Sequence, residues 1–221
     1  MELGHCEVEE LIIKITSRGR ERGLAERIDP SHTALVIIDV QNDFCHSSGL
    51  FKHSGFDVSH VPPVAEKIRL MRDRARQLGV FTVFAGSSYG DEVLSGAFEK
   101  IFGRRNIPNR LCRAGSWGSN WYNGIEPIDG SGEVVVTKHR FSAFVGTDFD
   151  LYLRSNKIDT IIFTGMDTGG SLEATLRDAS SLDYRIVVPA DCIVDSVPAR
   201  RAGLIKKIGE TYGMVLSSDD I

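Results

Sequence analysis

The chain has 221 residues, with 26 basic and 30 acidic side chains and a formal net charge of −4 at neutral pH. This length is sufficient for one substantial core, and no shift in composition marks a second domain. Charges of both signs are scattered along the chain, so no basic face suited to nucleic acid is expected. No apolar run approaches the roughly 20 residues of a membrane helix, so no membrane association is expected.

The four cysteines are far apart and form no CxxC pair. This spacing disfavours a zinc site or a disulfide framework and is typical of a reducing compartment, so a cytoplasmic protein is expected. Residues 1–29 are too charged for a secretory signal and are interpreted as an N-terminal extension that packs on the domain or on a neighbouring subunit. Residues 30–221 are interpreted as the domain itself, and a homo-oligomer, either dimer or tetramer, is expected.

Six short apolar runs rich in β-branched residues predict strands buried on both faces. They are 33–39, 80–86, 133–138, 160–165, 185–192 and 213–218. Stretches with apolar residues at helical spacing lie between them, at 62–79, 147–157, 171–183 and 197–213. Helices that connect parallel strands must cross over the sheet, so the pattern predicts a three-layer α/β/α domain with a mostly parallel six-stranded sheet. The irregular interval 87–132 is expected to cover the functional site.

Three polar residues stand where predicted strands end: Asp39 after ALVII, Lys138 after EVVVT, and Ser171 after TGMDTGG at the start of a helix. Ligands of open α/β sheets bind beyond the carboxyl ends of the strands, so these are candidate catalytic residues. Each also has a structural alternative, as a cap of the next segment, a structural ion-pair partner and a helix cap respectively. Together an acid, a base and a nucleophile beside free helical N–H groups predict acyl transfer.

The motifs that contain these residues resemble the isochorismatase-like, or cysteine hydrolase, superfamily from about Pro30 to Ser217. The motifs are ALVIIDVQNDF (34–44), VVVTKHRFSAFVGTDFDLYLR (134–154), TIIFTGMDTGGSLEATLRDASSLDY (160–184) and VVPADCIVD (187–195). The resemblance implies a Rossmann-like topology and places the Asp-Lys-Cys triad of the amidase members at Asp39, Lys138 and position 171. It also implies a cis peptide between Met166 and Asp167, with the N–H groups of Asp167 and Ser171 forming the oxyanion hole.

Shorter segments are most similar to the ureidoacrylate amidohydrolases, with biuret hydrolases and N-carbamoylsarcosine amidases close by. The segments are SGFDVS (54–59), GSW (115–117), KHRFSAF (138–144) and EATLRD (173–178). Those enzymes cleave a ureido or carbamoyl C–N bond, so the resemblance implies a small amide or ureido substrate. Nicotinamidases, another branch, bind a metal through acidic residues and histidines, but residues 84–92 contain no histidine. No metal and no cofactor are therefore expected.

A serine stands at position 171, where the amidases carry cysteine, and four interpretations remain open. Ser171 is an engineered replacement that traps substrate, or the chain is a natural hydrolase that uses either Ser171 itself or a water activated by Asp39. Alternatively, the chain is a vinyl ether hydrolase of the isochorismatase type without a covalent nucleophile, or a non-catalytic binding member of the family. A serine normally needs a histidine base, and His139, directly after Lys138, is expected to point to the opposite face.

Six residues are candidates for contact with the substrate. Phe44, Tyr89, Trp117 and Phe141 are predicted to wall the pocket, with a place in the core or in a subunit contact as the alternative for each. Arg140 would face the same way as Lys138 on an extended chain and could clamp a carboxylate, or could be a solvated arginine. The Asp167 carboxylate could accept hydrogen bonds from a substrate amide, which favours an amide-rich or cationic substrate over a diacid.

Overall fold

The computed structural model describes residues 28–104, 106–108 and 110–221, so the N-terminal extension predicted for residues 1–29 lies almost entirely outside the described residues. The described residues form a seven-stranded sheet in which every pair of strands is parallel. Its strands are β1 (Thr33–Ile38), β2 (Phe81–Ser87), β3 (Val134–Lys138), β4 (Thr160–Met166), β5 (Arg185–Pro189), β6 (Ile193–Val194) and β7 (Met214–Leu216). The strand order is β3-β2-β1-β4-β5-β7, with β6 beside β4.

The predicted α/β class is confirmed, but the expected count of six strands is wrong by one. The run 185–192 does not form one strand, because β5 ends at Pro189 and a 3-10 turn at Ala190–Cys192 follows. Proline has no N–H to donate, which favours the end of a ladder at this point. After the turn, the two residues of β6 pair with the carboxyl end of β4.

Seven α-helices lie between the strands of the described chain. They are α1 (Asn42–Cys45), α2 (Leu50–His53), α3 (Val61–Gln77), α4 (Gly96–Arg104), α5 (Phe149–Ser155), α6 (Glu173–Ser181) and α7 (Pro198–Lys207). π-Helical turns at Thr168–Leu172 and Ile208–Tyr212 adjoin α6 and α7. The four predicted helices are present, whereas α4 lies in the interval that was expected to be irregular. Among the helices of the described residues, none combines the length and the apolar character that a membrane span requires.

The alternating side chains of β1 divide the core into two layers. Ala34, Val36 and Ile38 are fully buried against residues of α5, α6 and α7. Leu35 and Ile37 are fully buried on the other face, against residues of α1, α2, α3 and α4. Helices therefore cover both faces of the sheet, as expected for strands that are apolar on both sides.

Gly165 provides a test of how closely β1 and β4 pack. It has a φ of +117°, and a Cβ added there would lie 2.1 Å from the main-chain oxygen of its register partner Ile38. We expect Gly165→Ala to lower the free energy of unfolding by about 2–4 kcal/mol, because both strain and overlap oppose the methyl group. Urea denaturation measures the change.

Gly203 within α7 is the matched control, since a Cβ there meets open space. Gly203→Ala should raise the free energy of unfolding by about 0.5–1 kcal/mol, because alanine favours the helix. Equal effects of the two substitutions would contradict the close approach of the strands.

Candidate active site

Four neighbouring strands deliver polar residues to one edge of the sheet. Asp39 follows β1 directly, and Ser87 and Lys138 are the last residues and register partners of β2 and β3. Ser171 lies in the π-helical turn that follows β4. Because these strands are parallel and adjacent, their carboxyl ends meet at the same edge, where α/β proteins bind ligands. The structure therefore brings together the three predicted triad positions, Asp39, Lys138 and Ser171.

The ammonium group of Lys138 is the centre of this cluster. Its Nζ donates hydrogen bonds to Asp39 Oδ2 at 2.8 Å, to Ser87 Oγ at 2.7 Å and to Ser171 Oγ at 2.9 Å. The exposed fractions of Asp39 and Lys138 are zero, and that of Ser171 is 4%. An ammonium group has three N–H donors, and here each has an acceptor. A buried ion pair is tolerated only when such additional hydrogen bonds are made.

Ser87 completes the network, although it was not among the predicted site residues. Its hydroxyl donates to Asp39 Oδ1 at 2.9 Å and accepts from both Lys138 and the Tyr89 hydroxyl, which lies 3.3 Å away. The Ser87 N–H also donates to Asp39 Oδ1 at 3.0 Å. Ser87 thus fixes the carboxylate and the ammonium group relative to each other. The sequence feature that could have indicated Ser87 is a hydroxyl residue at the end of a buried apolar strand.

The side chain of Gln41 holds Ser87 in place. Gln41 Oε1 accepts from the Ser87 N–H at 2.8 Å, while Nε2 donates to the Ser87 main-chain oxygen at 2.9 Å. Nε2 also donates to the main-chain oxygen of Ser119 at 2.6 Å. The amide group therefore bonds both main-chain groups of Ser87, much as a neighbouring strand would. Gln41 was likewise not among the predicted site residues, because its hydrogen-bond partners, Ser87 and Ser119, are far away in the sequence.

A compact turn presents Ser171 to the cluster. It begins at Asp167, which has φ +56° and ψ 73°, and Gly170 has non-helical angles of −136° and −106°. The cis peptide expected between Met166 and Asp167 is wrong, since the described residues contain no cis bond. The left-handed conformation of Asp167, which aspartate tolerates better than most residues, makes the turn instead. Asp167 is 3% exposed, so its carboxyl group is not on the protein surface.

Asp195, directly after β6, fastens this turn to the rest of the sheet. Its side chain is fully buried, and Oδ2 accepts from the Thr168 hydroxyl at 2.6 Å and from the Gly169 N–H at 3.0 Å. Oδ1 accepts from the Val197 N–H at 2.7 Å and lies 3.9 Å from Arg200 Nη1. One carboxylate thus joins the turn before Ser171 to the start of α7. Asp195 belongs to one of the motifs that carry the family resemblance, but the sequence alone assigned it no role.

Three of the candidate substrate-binding residues gather around Phe98 of α4. The rings of Tyr89 and Phe141 lie 5.6 and 5.3 Å from that of Phe98, and the Arg140 guanidinium lies 5.0 Å from the ring centre. Arg140 Nη1 donates to the main-chain oxygens of Val93 at 3.0 Å and of His139 at 2.5 Å. Arg140 also lines an open cavity of about 430 Å³ beside the end of β3.

The other two aromatic candidates lie among different neighbours. Phe44 is 4% exposed and packs edge-on against Phe51, with ring centres 4.8 Å apart. Trp117 is 49% exposed and meets the ring of His46 at 5.1 Å. An open cavity of about 660 Å³ adjoins Trp117. These ring contacts therefore tie Phe44 and Trp117 to the segment around α1 and α2 rather than to the group around Phe98.

No described thiol is prepared to act as a nucleophile. Cys45, Cys112 and Cys192 are buried and unpaired. Burial raises the pKa of each thiol above its ordinary range, and the negative charge of Asp39 raises the pKa values of Cys45 and Cys112 further. A thiol must become a thiolate before it attacks a carbonyl, so these cysteines are held in their unreactive form.

One ring nitrogen of His139 is bound to the main chain. Its Nδ1 lies 2.6 Å from the main-chain oxygen of Ser88, which fixes the ring beside β2. Within the described residues, no group of three or more histidine, cysteine, aspartate or glutamate side chains could hold a metal ion.

Known proteins are similar to this chain over nearly the whole length of the domain. The family model of the isochorismatase domain matches residues 33–220. Ureidoacrylate amidohydrolase RutB of Pseudomonas savastanoi pv. phaseolicola is 32% identical over 208 residues, which cover 88% of this chain and 84% of that protein.

Solved structures show the same fold. A cysteine hydrolase from Pseudomonas syringae pv. phaseolicola superposes with a TM-score of 0.76 at 22% identity, covering 87% of this chain and 92% of that one. N-carbamoylsarcosine amidase from Thermoplasma acidophilum has a TM-score of 0.69 at 27% identity, covering 86% and 98%. The resemblance inferred from the motifs is confirmed: the chain belongs to the isochorismatase family.

Proposed function

We propose that this protein is an amidohydrolase that cleaves a ureido or carbamoyl C–N bond of a small acid, with position 171 as the site of the nucleophile. The observation that carries the proposal is the single ammonium group of Lys138, bonded at once to the Asp39 carboxylate and to the Ser171 hydroxyl. Relatives named ureidoacrylate amidohydrolase and N-carbamoylsarcosine amidase support the substrate class.

The residue at position 171 attacks the carbonyl carbon of the substrate. A bond forms between the nucleophilic atom and that carbon, while the proton of the nucleophile passes to the Asp39 carboxylate. The positive charge of Lys138 stabilises the negative charge that develops on the attacking atom, in a site from which water is excluded. The N–H groups of Asp167 and Ser171, at the turn that leads into α6, are the proposed donors to the oxyanion.

The C–N bond breaks as the tetrahedral intermediate collapses. The leaving nitrogen takes the proton from Asp39, and an acyl or carbamoyl group remains on residue 171. A water molecule then attacks this group with the same carboxylate as base, which releases the acid and restores the residue. No metal or cofactor is needed for this sequence of steps.

Arg140 is the proposed partner of a substrate carboxylate. Its Nη1 is bound to main-chain oxygens, which fixes the guanidinium at the wall of the cavity beside β3. A guanidinium held in this way loses little entropy when it binds a carboxylate through its remaining N–H groups. Asp167 is proposed to face the amide end of the substrate. A ureido acid would then bind with its carboxylate at Arg140 and its amide end at Asp167.

The substitution Ser171→Cys tests the proposed nucleophile position. A cysteine thiol has a pKa of about 8.5 and a serine hydroxyl titrates far higher, so the adjacent ammonium group should generate a thiolate far more readily than an alkoxide. We expect the variant to hydrolyse ureidoacrylate at least about 100-fold faster than the serine form. Ammonia release, followed at neutral pH, measures the rate.

Ser171→Ala is the matched control and should show only the background rate. If Ser171→Cys stays at the rate of the serine form on both ureido and carbamoyl acids, the proposed nucleophilic role of position 171 is wrong. Pyruvate release from a vinyl ether substrate by the serine form would indicate instead that Asp39 acts as an acid without a covalent nucleophile.

The substitution Lys138→Met tests the ion pair, because methionine keeps the approximate length of the side chain and removes its charge. It leaves the fully buried Asp39 carboxylate without an ion-pair partner, so the free energy of unfolding should fall by about 3–5 kcal/mol. When Lys138→Met is combined with Ser171→Cys, the rate of hydrolysis should fall to that of Ser171→Ala. Urea denaturation and ammonia release measure the two effects.

The double variant Asp39→Asn/Lys138→Met separates these effects. It removes both charges, so most of the lost stability should return while activity stays absent. A double variant that remains as unstable as Lys138→Met would show that the ion pair is not the source of the destabilisation.

A further inference from the structure

An apolar groove lies toward the end of the sheet opposite the candidate active site. It has a volume of about 220 Å³ and is lined by Ile28, Pro30, Leu35, Val80, Ile162, Ile221 and the outer side of α3. Leu35 and Ile162 lie in the first halves of β1 and β4, whereas Asp39 and Ser171 lie beyond the other ends of these strands. The groove is therefore separate from the cluster around Lys138.

Two leucines on the groove wall are more than half exposed. Leu70 and Leu78 of the α3 region have 51% and 54% of their surfaces exposed and lie two helical turns apart. Arg74 stands between them, also exposed, and its guanidinium makes no hydrogen bond or ion pair with any described residue. Large exposed apolar surfaces of this kind mark places where another segment packs.

We propose that residues 8–15 of the same chain, VEELIIKI, dock into this groove. Val8, Leu11, Ile12 and Ile15 stand at the i, i+3, i+4, i+7 spacing that gives a helix one apolar face. Glu7, Glu9 and Glu10 place negative charge near the beginning of that segment, complementary to Arg74 on the groove wall. The segment thus matches the groove in apolar character, and its glutamates complement Arg74. The other two charged residues of the groove wall, Lys67 and Asp219, form an ion pair with each other at 3.7 Å.

The connectivity favours the chain's own segment over a separate partner. Ile28, the first described residue, itself lines the groove, so the preceding chain is tethered at the site it would occupy. Residues 16–27 can span at most about 40 Å, which is ample for a return along one helix. Such a tether gives a high effective concentration, so even a modest apolar contact would be occupied.

The test compares two isoleucines that are adjacent in the full-length chain. Ile12→Asp places a charge on the proposed apolar face and should lower Tm by about 4–8 °C. Ile13→Asp, the same substitution on the opposite side of a helix, should leave Tm unchanged. Leu70→Asp should reproduce the fall in Tm, whereas Leu151→Asp, at a leucine of α5 that is 62% exposed, should not.

The double variant Ile12→Asp/Leu70→Asp decides whether the two residues meet. If they do, its Tm should equal that of either single variant, because each substitution alone already removes the contact. Additive falls in Tm, or no fall with Ile12→Asp, would overturn the proposal.

Co-refolding distinguishes the chain's own segment from that of a second copy. An equimolar mixture of Ile12→Asp and Leu70→Asp chains, unfolded and refolded together, should melt at the temperature of the single variants. A mixture that melts at a higher temperature would show that an intact segment from one chain fills the intact groove of another, and would overturn docking within one chain.

Discussion

The structure of the site depends on one requirement, which is that a buried ammonium group must find an acceptor for each of its protons. Lys138 finds them in Asp39, Ser87 and Ser171, which come from the ends of β1, β2 and β4. Leaving any one bond unmade costs free energy in a medium of low dielectric constant. The order and register of four strands are thus tied to one charge, because a slip by one residue would turn Ser87 or Lys138 to the other face.

Much of the fold could be predicted from the sequence, because strands buried on both faces leave continuous apolar runs that a half-exposed helix does not produce. The elements that could not be predicted depend on contacts with distant segments or have only a weak local pattern. The two residues of β6 extend only because β4 offers them a partner, and no local pattern marks so short a strand. Helix α4 left a signal in the spacing of Phe98, Ile101 and Phe102, but glycines on both sides obscured it.

The site was predictable to the extent that function requires a polar residue in an apolar strand. Asp39 and Lys138 stand out because a charge at such a place needs a partner. Gln41 and Asp195 act through main-chain groups of distant segments, which sequence spacing does not specify. The placement of Arg140 could not be predicted from strand periodicity, because β3 ends at Lys138 and the Arg140 guanidinium is bound to the main-chain oxygen of Val93.

The identity of the atom at position 171 affects both the stability of the resting cluster and its reactivity. Its oxygen accepts a charge-assisted hydrogen bond of ordinary length from Lys138, so the neutral hydroxyl satisfies the resting network well. A neutral thiol is a weaker acceptor, whereas a thiolate would gain far more from the same ammonium group. Interactions accelerate a reaction only when they strengthen on the way to the transition state. Under the proposed mechanism, the same geometry therefore favours the resting state with oxygen at position 171 and favours attack with sulfur there.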